Sequence, residues 1–357
     1  EGPEIRSRFS ELELEAREAS LDDLAAVTRR LLDAGAVGAE PIPKAVRALG
    51  PTATGPPDVV VPAFEPDDPA GWAVRAALAD GVLRILRHDP GTRMGSVEDL
   101  HQLRVGVRRL RSDLRTLGPL LEEHWAPGLE ADLRALGNRL GDVRDFDVQL
   151  ARIQTEHPDL AAELEPLSAD LHQRHATARA ALLDELRSDR YAQLLERLVV
   201  LARDPELSPA GFEPSGIALP RLADTAWRRL ERRADPIVEA EEPTNAQLHR
   251  VRIATKRARY AAETAARALP EDQAEEARRF ADRLGELQDL LGRHQDAVVS
   301  SAQAHAAAAE HGDDLALVVA AGRVMEREIG NARRERRRLA RMWASIRKKK
   351  RRRWMRR

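Results

Sequence analysis

The chain of 357 residues contains no cysteine, which excludes disulfides and thiolate metal sites and suits the cytosol. Aromatic residues make up only 3 % of it, so platforms for stacking nucleic-acid bases are scarce. Lysine is nearly absent: five are set against 53 arginines, and three of the five (Lys348, Lys349, Lys350) lie near the C-terminus. No apolar run is long enough to span a bilayer, and no secretory signal opens the chain. The first residue is Glu1 rather than methionine, so the sequence reads as a fragment or a processed form. Familiar catalytic signatures are missing as well. There is no Ser/His/Asp order, no P-loop and no zinc motif, and His172 and His175 lack the glutamate of a metalloprotease helix and read as surface residues.

What is present is Ala, Leu, Arg and Glu in helical periodicity, so the expected fold class is all-α, with length enough for two or three domains. The net charge of −1 conceals an asymmetry. From Arg333 to Arg357 fifteen basic residues face one acid, Glu335, so the remainder carries about −15. A body this acidic is a poor general binder of nucleic acid, and any anion site on it must be a local concentration of cations. The segment from Arg347 to Arg353 reads as a disordered electrostatic arm, able to touch nucleic acid or an anionic surface, with Trp343 and Trp354 as its only aromatics.

One such concentration occurs twice. His101, Arg104, Arg108, Arg109 and Arg111 repeat, 148 residues later, as His249, Arg252, Lys256, Arg257 and Arg259, both with the form H-x-x-R-x-x-x-R/K-R-x-R. The spacing His101, Arg104, Arg108, Arg111, Arg115 alternates three and four, which puts these side chains on one helical face. Ser96 and Thr244 read as N-caps, Thr244 with Gln247 as a capping box, each five residues before its histidine. Leu100, Leu103, Val107, Leu110 and Leu114 form an apolar stripe offset by one residue, a turn of about 100°. Leu248, Val251, Thr255 and Ala258 repeat it more weakly. If the apolar stripe is buried, the basic one lies at the edge of the core and faces a groove or channel. Successive cations stand about 5.4 Å apart along the axis, which suits a ligand with many negative charges in a row. Arginine holds phosphate oxygens bidentately, and lysine acts as a point charge. Neighbouring cations oppose a divalent metal, so no metal and no cofactor is expected.

A second motif is also duplicated. Leu133 to Asp145, with Gly141 inside it, matches Leu284 to Asp296, with Gly292. Asp145 and Asp296 are read as carboxylates that orient the cations rather than as a catalytic pair. The repeated unit of about 130 residues suggests two bundles related by a pseudo-twofold axis. The expected organisation is an N-terminal segment 1–49, a Pro/Gly linker 50–71, helical repeats 72–204 and 205–335 separated by a break at 204–220, and a basic tail 336–357. Short turns are expected at Pro90-Gly91, Gly118-Pro119, Pro127-Gly128 and Pro158. Residues 5–15 alternate like a strand, and Ser20 opens a helix that runs through Asp33 and ends at Gly35.

On the two histidine helices and the two glycine–aspartate segments, the region of about 72–335 resembles the CHAD family, named for its conserved histidine α-helical domain. The resemblance implies two four-helix bundles around a basic groove or pore, and binding of inorganic polyphosphate without chemistry, in the cytoplasm or on polyphosphate granules. Carried over, the polyphosphate contacts are His101, Arg104, Arg108, Arg109 and Arg111, extended along the same face to Arg115, with His249, Arg252, Lys256, Arg257 and Arg259. The first stripe reaches Arg115 where the second reaches Glu263, so the halves are unequal. Phe9 to Glu15, the following helix and Pro43-Lys44-Ala45 resemble the C-terminal end of a CYTH domain, a relative of triphosphate tunnel enzymes. That resemblance implies a short α/β remnant, with Glu11, Glu13 and Glu15 as vestiges of a metal site or simply an exposed strand. Its E-x-E-x-K strand is absent, so the chain as given is not expected to hydrolyse triphosphate. A full-length CYTH–CHAD protein acting on triphosphate or polyphosphate, and nucleic-acid binding through the tail, are the competing readings.

Overall fold

The computed structural model describes residues 10–356 apart from 16, 39–41, 44, 45, 48, 49 and 125. Contacts divide the chain into two compact units, Glu1–Asp58 and Val59–Arg357, with the boundary inside the Pro/Gly linker. In the first unit, helix α1 (Leu21–Asp33) starts where expected. The Ser20 hydroxyl accepts from the Asp23 amide at 3.2 Å and the Asp23 carboxylate accepts from the Ser20 amide at 3.0 Å. Gly35, at φ 98°, turns the chain after the helix in the left-handed region that glycine adopts without strain. Residues 10–15 form no strand. Alternation alone cannot make one, because a strand needs a partner ladder, and no sheet exists among the described residues. The alternating residues 5–9, and Lys44 and Ala45, lie outside the described residues.

The second unit is all-α. Its helices are α2 (Ala70–Met94), α3 (Val97–Leu117), α4 (Leu129–Glu156), α5 (Glu165–Arg187), α6 (Asp189–Arg203), α7 (Ser215–Glu239), α8 (Asn245–Ala266), α9 (Glu271–Glu310) and α10 (Leu315–Ile346). The basic helices are α3 and α8. Ser96 caps α3 by accepting from the Asp99 amide at 3.1 Å, and Thr244 with Gln247 closes a capping box on α8. Two breaks differ from expectation. Pro90-Gly91 does not interrupt α2, which runs on to Met94 and ends at Gly95 (φ 101°). Pro90 sits in the last turns, so its missing N–H costs one hydrogen bond close to the end that Gly95 caps rather than splitting the helix. The break at 204–220 is shorter than expected, because α7 starts at Ser215 and carries Pro220 within its second turn.

The apolar stripes do what their spacing requires. Leu100, Leu103, Val107 and Leu110 of α3 are buried, as are Leu248, Val251, Thr255 and Ala258 of α8. Each buried leucine contributes about 1.5–3 kcal/mol of transfer free energy. They belong to one apolar cluster that runs through helices of both halves, from Val74 and Ile85 of α2 to Leu284 of α9 and Trp343 of α10. A smaller cluster (Leu160, Leu164, Ala304, Leu317, Val324) packs the turn before α5 against the far ends of α9 and α10.

The basic tail is not a free arm. Helix α10 runs to Ile346, and a 3₁₀ segment follows over Lys349–Arg356. Trp343, Ile346, Trp354 and Met355 are all buried. Trp343 stacks on Trp227 of α7 with centroids 5.3 Å apart, and Phe280 of α9 meets Trp227 and Trp354 edge-on. The Arg352 guanidinium lies 4.3 Å from the Trp227 ring centroid. Apolar and aromatic residues spaced among the cations thus dock the segment despite its charge. Trp343 and Trp354, the only aromatics near the tail, are inside the protein, where they cannot stack on bases. Among the described residues, no helix is long and apolar enough to cross a membrane.

Candidate functional site

Helices α3 and α8 lean against each other and against α4 and α9 respectively, and the glycines of the second motif set the depth of each basic side chain. A methyl group placed on Gly141 would stand 3.7 Å from the Arg104 guanidinium, and one on Gly292 would stand 3.8 Å from that of Arg252. Arg111 and Arg259 cross Gly137 and Gly285 in the same way. The arginines therefore lie along bare helix backbone, half-buried, rather than extending into solvent.

His101, Arg104 and Arg108 from α3 and His249 and Arg252 from α8 converge on one cavity of about 480 Å³. Asp145 and Asp296 line it too. Arg104 donates to Asp145 Oδ1 at 3.1 Å. Asp296 attracts Arg252, yet its carboxyl is pushed up from the ordinary value, first by burial and then by Asp145 and Glu156, with Arg252 and Arg152 opposing. Two acids thus face a larger number of cations. Arg104 and Arg252 are both pushed down, first by burial; Asp145 and Asp296 respectively oppose the shift, and the neighbouring arginines add to it. His101 is pushed below its usual value by burial and then by Arg144, with Arg108 and Arg104 adding to it and Glu98 opposing. The ring Nδ1 of His101 and the Nε atoms of Arg108 and Arg252 are buried without hydrogen-bond partners. The walls hold more positive charge than they neutralise.

Lys256 stands behind the cavity wall rather than in it. Burial, then Arg252, Arg108, Arg104 and Arg259, lower its ammonium to about 7. Arg109 is not brought to the cavity. It donates to Asp113 (2.9 Å), pairs with Glu263 and lies over the Tyr260 ring, so it ties α3 to α8. Arg115 and Arg257 line a separate, smaller pocket. Of the two histidines read as surface residues, His172 is exposed, while His175 is half-buried with Nε2 3.0 Å from Asp147.

Two cavity arginines were not singled out in the sequence, Arg144 and Arg152 of α4. Arg144 immediately precedes Asp145 in the second motif, where the other copy has Gln295, and that adjacency was the available signal. Arg152 is held at the cavity floor. It donates to Glu328 Oε1 at 2.6 Å and Glu156 Oε2 at 2.7 Å, and His157 Nε2 lies 3.2 Å from Glu328. Glu156, His157 and Glu328 have metal-ligand spacing, but the Arg152 guanidinium already occupies the position of a cation between the two glutamates. The floor is an ion-pair network that joins α4 to α10.

With this geometry, comparison with known proteins defines the class. The CHAD domain family model matches residues 76–305. The chain belongs to the CHAD family. Two uncharacterized proteins of Mycobacterium tuberculosis, from strains CDC 1551 and H37Rv, are each 33 % identical to it over 316 residues, covering 84 % of this chain. The chain spans 57 % of the length of those relatives. The crystal structure of the CHAD domain from the plant Ricinus communis superposes with a TM-score of 0.65 at 26 % identity, covering 82 % of this chain and 96 % of that one. PptA from Streptomyces chartreusis shares the fold, with a TM-score of 0.65 at 22 % identity, covering 77 % of this chain and 99 % of that one.

Proposed function

We propose that the protein binds inorganic polyphosphate in the cavity between α3 and α8, as a polyanion-binding module. The observation that carries this reading is the convergence of His101, Arg104, Arg108, Arg144 and Arg252 on one cavity that only two acids, Asp145 and Asp296, line, with Arg144 paired to Asp147 and Arg108 left without a carboxylate among the described residues. Half-buried cations that repel one another are stabilised by a ligand bringing several negative charges at once. Guanidinium groups offer it bidentate, charge-assisted hydrogen bonds. Asp145 and Asp296 then act by holding Arg104 and Arg252 in place, and binding rather than turnover is the role assigned to them. Residence on polyphosphate granules in the cytoplasm would follow from such binding, and the two halves would act as pseudo-symmetric walls of one groove. An N-terminal remnant of a CYTH domain stays part of this reading, with hydrolysis left to a longer parent protein.

The test is titration of the full chain with long-chain polyphosphate and with orthophosphate at matched ionic strength. Polyphosphate should bind far more tightly. Converting Arg104, Arg108, Arg252 and Lys256 to alanine should remove that binding while circular dichroism keeps its helical signal. Equal affinity of the parent chain for both anions would sink the proposal.

A further inference from the structure

Arg109 of α3 pairs with Glu263 of α8. Moving each residue to its counterpart in the other repeat, 148 positions away, gives Arg257 of α8 facing Arg115 of α3. The structure brings these two arginines to one small pocket of about 100 Å³. Where one side of the repeat has an ion pair, the other has two like charges. Two more arginines, Arg229 and Arg233 from successive turns of α7, line it as well, beside Thr116, Thr225 and apolar side chains such as Leu222. No acid lines it.

Three of the four, Arg229, Arg233 and Arg257, differ from the arginines around them. On α7 itself, Arg221 is paired with Glu213 and Arg228 with Asp224. Arg115 shares Glu130 with Arg134. Among the described residues Arg229, Arg233 and Arg257 have no carboxylate within ion-pair distance. Arg257 is pushed down first by burial, then by Arg115, Arg233 and Arg229 in turn. A protein with as many acids as bases can easily supply a carboxylate to such a point. This pocket instead leaves the negative charge to be brought from outside.

We propose that Arg115, Arg229, Arg233 and Arg257 form a second anion site, distinct from the large cavity, that takes a single phosphate group. The pocket admits one tetrahedral oxyanion rather than a chain. Four guanidinium groups from three helices line the pocket, and each can offer charge-assisted hydrogen bonds to a phosphate dianion, which would take the place that Glu263 holds in the other half. The site does not depend on polyphosphate occupying the large cavity. The group it holds comes either from free orthophosphate or from one end of a longer chain.

The experiment follows thermal unfolding of the full chain against orthophosphate and, separately, tripolyphosphate, with chloride at equal ionic strength as the control. A ligand that binds only the folded state raises the melting temperature with concentration. R229S/R233S, at two exposed positions outside the large cavity, should weaken the apparent orthophosphate affinity by about tenfold or more. R104S/R252S should leave the orthophosphate response in place. Arg233→Glu supplies the missing carboxylate, and should raise the melting temperature without phosphate and abolish the response to it. Dependence on Arg229 and Arg233 with tripolyphosphate alone would assign the site to a chain end. A parent chain that responds equally to phosphate and chloride overturns the proposal. So does an orthophosphate response lost in R104S/R252S and kept in R229S/R233S, which would place the anion in the large cavity. Loss of polyphosphate binding to the large cavity would leave this result untouched, so the two readings fail separately.

Discussion

Lys256 ionises well below its reference value. Its folded pKa of about 7 lies below the unfolded value near 10.4, so the folded state holds fewer protons between those limits. Its charge therefore opposes folding, fully below about pH 7 and progressively less as pH rises toward 10. The groups facing it are Arg104 and Arg108 of α3 and Arg252 and Arg259 of its own helix. Lys256→Met should stabilise the protein at pH 7 by about 1–3 kcal/mol, after allowance for its partial exposure. Urea unfolding from pH 6 to 10 should show a flatter profile for the variant. The same substitution should weaken polyphosphate binding, because the anion raises the lysine pKa and recruits a proton. Calorimetry in buffers of different ionisation enthalpy would detect that uptake. His101 makes a parallel prediction of lower amplitude. Burial and then Arg144 hold its pKa below the usual value, so affinity should rise as pH falls below about 6.5. A H101Q/H249Q variant should keep tight binding and lose this dependence.

At the level of helices, the periodic and capped parts were legible and the rest was less so. The three-four spacing of His101, Arg104 and Arg108 beside Leu100, Leu103 and Val107 determines which face of α3 is buried, since one rotation fixes both stripes. Ser20, Ser96 and Thr244 marked helix starts because their hydroxyls answer amides that the helix cannot satisfy itself. Arg109 shows the limit. It stands next to Arg108 in the sequence, but a step of 100° sends it toward Glu263 and Tyr260 instead of the cavity, and those partners lie more than 150 residues away. Arg144 and Arg152 were missed for the same reason, because their faces are defined only once α4 has packed on α3. Gly141 tests the helix contact. Gly141→Ala should stabilise α4 by up to about 1 kcal/mol and keep binding, because the methyl only touches Arg104. Gly141→Leu should displace Arg104 and cost affinity, as calorimetry beside thermal unfolding would show.

Over the whole molecule, the two repeats close one core, and the tail helps to seal it. Trp343→Ala should destabilise the fold by about 3–5 kcal/mol, measured by denaturant titration, because the buried ring stacks on Trp227 and its Nε1 donates to Asp235, both of α7. Replacing Lys348, Lys349 and Lys350, all exposed, by glutamine should alter stability by no more than about 0.5 kcal/mol. It should weaken non-specific attachment to nucleic acid while sparing polyphosphate, and a filter-binding comparison at several salt concentrations separates the two. In the cavity, each phosphate contact removed should flatten the log–log salt slope by about 0.7, the value for single-stranded nucleic acid. The docked tail also bears on how the protein is made. Trp227 is synthesised more than a hundred residues before Trp343, which stacks on it, and Trp354, which meets Phe280 edge-on. A nascent chain that already displays both basic helices still lacks the aromatic plug of its own core. Its repelling arginines are in place before the packing that restrains them, on a stretch of chain whose net charge is still negative, so a polyanion present during translation would meet cations only on the two basic helices.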